Sequence, residues 1–424
     1  MTDTKKNSIL LFAFAFCVTS SYMLNRIIGD SLLLARIGAK ALPLMLVIGA
    51  IVVGGISFVW ARQSRHVPIS RLVYVTQFGS TGLTLAHIWM LLYLPTSTMV
   101  IGGIYVLAEL RGCFNLILIA TLLNEHFCSK TEHGRFAFVN AGSPVAGILV
   151  GLLLGMGAGG IRPAFLLGGC CLLDVAAVLI ASFVKSKRTQ IATAEWQTHV
   201  EPAIVDISSL QSAGIDKHLR RFTNALMLVI ISKTIVLSIV AFEWKVMADR
   251  ALGNDEEALE RYFGLFYAIS DALILFIQLA LTRGILARVG IRFSLLILPF
   301  ALWGTGVFSL LTKDIWLLFG ALTVARGSVV LRRSIHDVAI QIIYGAMPTR
   351  VRRGIVARVL GIAKPMSEAA AAALVGLFAS TISVRTFAWF WMPFLVLWLV
   401  YTIKLGVAWK QVAANKQAAQ RTNF

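Results

Sequence analysis

The chain has 424 residues, of which 58% are apolar and only 14% charged. A soluble domain carries charge on about a quarter of its residues, so composition excludes a soluble enzyme. The formal net charge of +19 suggests nucleic acid, but its placement in short loops between apolar runs excludes that class as well.

Runs of about 20 apolar residues predict membrane-spanning helices. In chain order they cover 8–36, 42–61, 70–93, 98–127, 133–158, 162–184, 219–243, 259–283, 292–311, 314–344, 352–380 and 385–410, twelve in all. The first continues through Arg26 and Asp30 without a small-residue cleavage site, and so reads as a permanent helix rather than a cleaved signal. The spans group as an N-terminal half (1–184), a polar linker (185–218), a C-terminal half (219–410) and a tail (411–424). The expectation is an all-α polytopic membrane protein in two six-helix halves.

Lys and Arg concentrate in alternate loops, among them Arg62, Arg65 and Arg71, Lys130 and Arg135, and Arg350, Arg352 and Arg353. Positive loops mark the cytoplasmic side. Both termini and the linker are therefore expected in the cytoplasm of a bacterial inner-membrane protein, with anionic lipid headgroups as partners. The five cysteines have neither metal nor disulfide spacing and read as small apolar fillers.

Charges inside the spans are the informative residues, because each costs roughly 2.5 kcal/mol or more at the centre of a bilayer. In the first span Arg26 and Asp30 stand four apart, a spacing that lets them pair. That pair either fixes helix packing or lines a cavity. In the fourth, Tyr105, Glu109, Gly112 and Asn115 form one helical stripe. Arg111 lies about 160° round the helix from Glu109, so each needs a partner elsewhere. The seventh carries Lys233 and ends in Glu243, Trp244 and Lys245, which fit an outer interface with its tryptophan belt. The eighth aligns Glu260, Gly264, Tyr267, Asp271 and Gln278.

In the tenth, Arg326, Arg333, Asp337, Gln341 and Tyr344 share a face. Arg333 and Asp337 are spaced to pair there, while Arg332 and His336 point elsewhere. Arg326 is left to meet Glu109 or an anionic ligand, to which its planar fork donates twice. Lys364 and Glu368 are a further four-apart pair.

The two halves correspond: a charged helix, a basic turn, then a small-residue helix broken by Pro144 or Pro365. Together with the basic loop Gly284 to Arg292, this resembles the major facilitator superfamily, whose paired repeats surround a central site. Within it, Arg26-Ile-Ile-Gly-Asp30, Tyr105-Val-Leu-Ala-Glu109-Leu-Arg-Gly112, Glu243-Trp-Lys245, Phe263-Gly-Leu-Phe-Tyr267 and Ser334-Ile-His-Asp337 resemble stretches of the ATP/ADP translocase branch. The resemblance implies pathway roles for Glu109 and Glu243. Gly29 and Ile340 stand where that branch carries lysines.

The function expected is secondary active transport of a small, anionic solute by alternating access, with nucleotide exchange as the alternative. The pathway residues are Arg26, Asp30, Tyr105, Glu109, Asn115, Lys233, Glu243, Asp271, Arg326, Arg333 and Asp337. If protons are coupled, Glu109 or Asp271 must titrate in a working range. No cofactor or metal is expected, nor a nucleic-acid partner, and the protein is expected to act as a monomer. A membrane enzyme on lipid-linked substrates would need paired acids with a metal motif at a membrane face, and His66, His126 and His133 lack a metal-ligand spacing. A non-transporting scaffold would not require charged stripes inside its helices.

Overall fold

In a computed structural model the residues described are 3–63, 69–126, 133–157, 161–184, 217–345, 359, 363–378 and 384–421. The expected linker lies almost wholly outside them, as do Arg65, His66, Cys128, Lys130, Arg350, Arg352 and Arg353.

Among the described residues helices fall within each predicted span, the eleventh (352–380) being described as a helix over Lys364–Phe378. They are α1 (Asp3–Leu32), α2 (Leu42–Gln63), α3 (Ile69–Tyr93), α4 (Thr98–His126), α5 (His133–Met156), α6 (Pro163–Phe183), α7 (Lys217–Leu252), α8 (Glu256–Ala280), α9 (Thr282–Leu311), α10 (Ile315–Gly327), α11 (Asp337–Gly345), α12 (Lys364–Phe378) and α13 (Val384–Arg421). The short turn Val329–Leu331 and the π-helical turn Arg332–His336 join α10 to α11, which together fill the tenth span. Among the described residues ten segments are long and apolar enough to cross a membrane. Phe165, Leu172 and Trp389 present 71%, 74% and 64% of their surface outward, an apolar exterior that only lipid covers at low cost.

Local chemistry sets the ends. Pro163 opens α6, where its missing N–H costs nothing. The Asp314 carboxylate accepts from the amides of Trp316 and Leu317 at the start of α10. After α1 a π-helical turn, Leu33–Ile37, closes on Gly38 at φ 90°, a conformation that favours glycine.

The chain falls into two compact units, Met1–Ser186 with Lys245–Phe276, and Lys187–Trp244 with Ile277–Phe424. The division runs through α7 and α8. In the first unit α1 packs against α4, α5 and α6, and α3 packs against α4 and α6. Leu11, Phe14, Val18, Leu118 and Leu122 belong to its core. Here α5 and α8 nearly touch: a β-carbon on Gly151 would stand 2.4 Å from the Gly264 carbonyl oxygen. Small residues permit that backbone contact, which is how helices associate where lipid removes the hydrophobic drive. In the second unit α9 packs against α13 and α10. Trp391 and Trp398 of α13 are fully buried there.

Candidate functional site

In the first unit, charges from three helices and tyrosines from α1, α4 and α8 meet. Lys245 of α7 donates to Asp30 of α1 at 2.6 Å and to the Tyr105 hydroxyl of α4 at 3.3 Å, with its ammonium 4.8 Å from the Tyr105 ring centre. Arg26, one turn before Asp30, donates to the Tyr267 hydroxyl of α8 at 3.0 Å and to the Tyr22 hydroxyl. Its guanidinium stands 3.8 Å from Glu109, their side chains being 17% and 35% exposed. Arg26 and Asp30 thus share a helix face without closing on each other. Asp30 is taken by Lys245, whose burial corrects the expectation that Glu243, Trp244 and Lys245 sit at an outer interface; all three are buried. The flanking Phe242, Val246, Met247 and Ala248 are buried too.

Arg111 and Asp174 form a separate site. They pair at 2.8 Å with both side chains almost fully covered. Arg111 also donates to the Thr84 and Ser21 hydroxyls and, at 3.2 Å, to the Ser80 carbonyl. The Thr81 hydroxyl donates to Asp174. A buried pair satisfied on this many sides binds α1, α3, α4 and α6 together. Losing one partner of such a pair costs about 3–5 kcal/mol. Sequence reasoning passed over Asp174, although it is the one charged residue of α6 and Arg111 lacked a partner. Asn115 is likewise engaged in packing. Its amide donates to the Val18 carbonyl at 2.7 Å, and its oxygen accepts from Gln77 at 3.3 Å. Asp271 is buried against α5, where a β-carbon on Gly147 would overlap its carboxylate.

In the second unit, Lys233 of α7 donates to Asp337 at 3.0 Å. Arg332 stands 3.9 Å from Asp337, and His336 Nδ1 lies 3.4 Å from it. The His336 ring is fully buried, edge-on to Trp398 with centroids 5.6 Å apart. Asp337 itself is 40% exposed. A π-helical turn bonds residue i to i+5, and the Asp337 amide donates to the Arg332 carbonyl. The wider turn brings Arg332 and His336 to the carboxylate and leaves Arg333 exposed, its carbonyl accepting from Gln278 at 3.3 Å. That corrects the expectation that Arg332 and His336 point elsewhere. Such π-turns recur at functional sites.

Two further residues belong to this unit. Glu243 accepts from the Trp391 indole at 3.0 Å and is buried with one carboxylate oxygen unbonded among the described residues. Arg326 lies over the Trp244 ring, 5.4 Å from its centre. Lys364 and Glu368 stand 3.8 Å apart on α12. Among the described residues no three His, Cys, Asp or Glu side chains are grouped to hold a metal ion.

No family model matches the chain, and no curated protein matches it. Solved structures do. A D-xylose-proton symporter superposes with a TM-score of 0.63 at 12% identity, over 94% of this chain and 96% of its own. A peptide transporter crystallised with sulfate gives 0.66 at 11%, over 96% and 95%. The nucleoside transporter NupG gives 0.62 at 13%, over 96% and 99%. The chain has the major facilitator fold. At such identities the likeness carries architecture alone, and the roles of the charged clusters must be argued from their own geometry.

Proposed function

We propose that this chain is a secondary active transporter of a small solute, working by alternating access, with both termini in the cytoplasm of a bacterial inner membrane. The observation that carries the reading is the cluster of Arg26, Asp30, Tyr105, Glu109 and Lys245 inside apolar helices. A fold needing only to fill a membrane would not retain it. Lys233 and Asp337 supply a second charged element in the other unit, while Glu243 and Asp271 are buried acids placed to carry a coupling proton. Arg333 belongs to the same π-helical turn as the second cluster, and Asn115 supports the first unit through helix packing.

The solute carries an anionic group. Arg26 offers its guanidinium on a partly exposed side, and in the second unit Lys233 and Arg332 both approach Asp337. Nucleotide exchange is the weaker alternative. The two places where the resembled branch carries lysines offer no charge here: a β-carbon on Gly29 would stand 3.2 Å from the Tyr105 α-carbon, and Ile340 is buried.

The test is uptake into membrane vesicles of labelled carboxylates, amino acids, phosphate esters and nucleotides, each with and without an imposed pH gradient. Gradient-dependent uptake of one class, lost in Glu109→Gln, is expected. Inserted, folded protein that moves none of these classes above control vesicles would contradict the reading.

A further inference from the structure

We propose that Glu260 is a proton-binding site at the end of α1 opposite the N-terminus, and that its charge sets whether an Arg36–Glu256 latch beside it stays closed; this rests on the transporter reading and deepens it. The latch joins the end of α1 to the start of α8, both in the first unit. Arg36, in the π-helical turn after α1, donates to both oxygens of Glu256 at 2.9 and 3.2 Å. It also donates to the Pro95 carbonyl, between α3 and α4, at 2.9 Å. Nearby, Asn254 donates to the Leu34 carbonyl at 3.3 Å. A guanidinium closed on a carboxylate through two parallel bonds fixes geometry as well as charge. The two side chains are nevertheless 27% and 28% exposed, so water can take over each bond and the latch can open.

Three acids crowd the start of α8: Glu256, Glu257 and Glu260. Two are matched, Glu256 by Arg36 and Glu257 by Arg261 at 2.6 Å. Glu260 is only 3% exposed, and its Oε1 is sealed from solvent without a hydrogen-bond partner among the described residues. The charged groups that bear on it are Glu256 and Glu257 from its own helix and Arg36 from the turn after α1. Helix α5, packed against α8, has no charged residue beyond Arg135, and Asp249 near the end of α7 is engaged by the Ala39 amide. A buried carboxylate beside two others is unfavourable unless its charge is removed or solvated. A proton removes it and leaves Arg36 undivided on Glu256. When that proton passes to water, the Glu260 charge repels Glu256, one helical turn away, and competes with it for Arg36. Opening the latch relieves both effects by admitting water to Glu260. Acid therefore closes this end and alkali opens it. With both termini in the cytoplasm this end faces outward, so a proton taken up outside shuts the entrance behind it.

Cysteine labelling of the purified full-length protein in lipid nanodiscs tests this. Leu34→Cys reports on the latch, because Leu34 is fully buried two residues from Arg36. Thr96→Cys, exposed between α3 and α4, corrects for the pH dependence of thiol chemistry, and labelling of the parent protein is subtracted. In choline chloride, the maleimide rate at Leu34→Cys relative to Thr96→Cys should rise by about tenfold between about pH 5.5 and about pH 8.5. Adding Glu260→Gln, which carries no charge, should keep the ratio low throughout, whereas Arg36→Gln should keep it high. Size-exclusion chromatography checks folding, and the pH response of Leu34→Cys alone decides the matter where a further change prevents it. A flat ratio, a full pH response surviving in Glu260→Gln, or protection by added sodium at the higher pH would overturn the proposal. Vesicle uptake separates the two failures. Solute flux with a flat ratio leaves the transporter standing without the proton latch, whereas no flux of any solute removes both.

Discussion

Arg26 and Arg111 show how one residue type takes two roles in one bundle. Arg111 is sealed against Asp174 with further hydroxyl and carbonyl partners, so its charge is spent on holding four helices. Arg26 keeps an exposed side and a loose acid partner. Asp174→Asn should therefore lower folding stability by about 3–5 kcal/mol, the cost of stranding one member of a buried pair. The double change Arg111→Met with Asp174→Leu should recover most of that loss. Thermal unfolding of the three variants checks both, and equal losses in the single and double variants would refute the pairing argument. A similar contrast applies to Glu243. Trp391→Phe removes its indole donor and should cost roughly 1–3 kcal/mol, whereas the same change in a Glu243→Leu background should cost less.

Among elements, the π-helical turn Arg332–His336 decides which residues surround Asp337. At the α5–α8 contact, Gly264→Leu should prevent the close approach at Gly151 and reduce the yield of folded protein. The same elements mark the limit of sequence reading. The helix positions among the described residues were legible because lipid demands long apolar runs, and so was the charge on the helix faces. Pairing across helices was not. A four-residue spacing matched Arg26 to Asp30 and Arg333 to Asp337, but Lys245 and Lys233 reach those acids from another helix. No periodicity announces a π-turn, and the outward-reading Glu243-Trp-Lys245 is apolar enough on either side to be buried.

For the whole molecule, the fold and the charged clusters bear on a single claim: solute reaches one site alternately from either side of the membrane. The low identities to known transporters leave the substrate to be decided by experiment on this chain itself. Counterflow in liposomes tests the claim most directly, because it needs no driving ion. Liposomes containing the purified protein are loaded with the unlabelled solute that vesicle uptake identifies and diluted into a trace of its labelled form. A carrier working by alternating access produces a transient accumulation of label above equilibrium, which Glu109→Gln should abolish. Label that only rises to equilibrium, or enters no faster than into empty liposomes, would contradict the account.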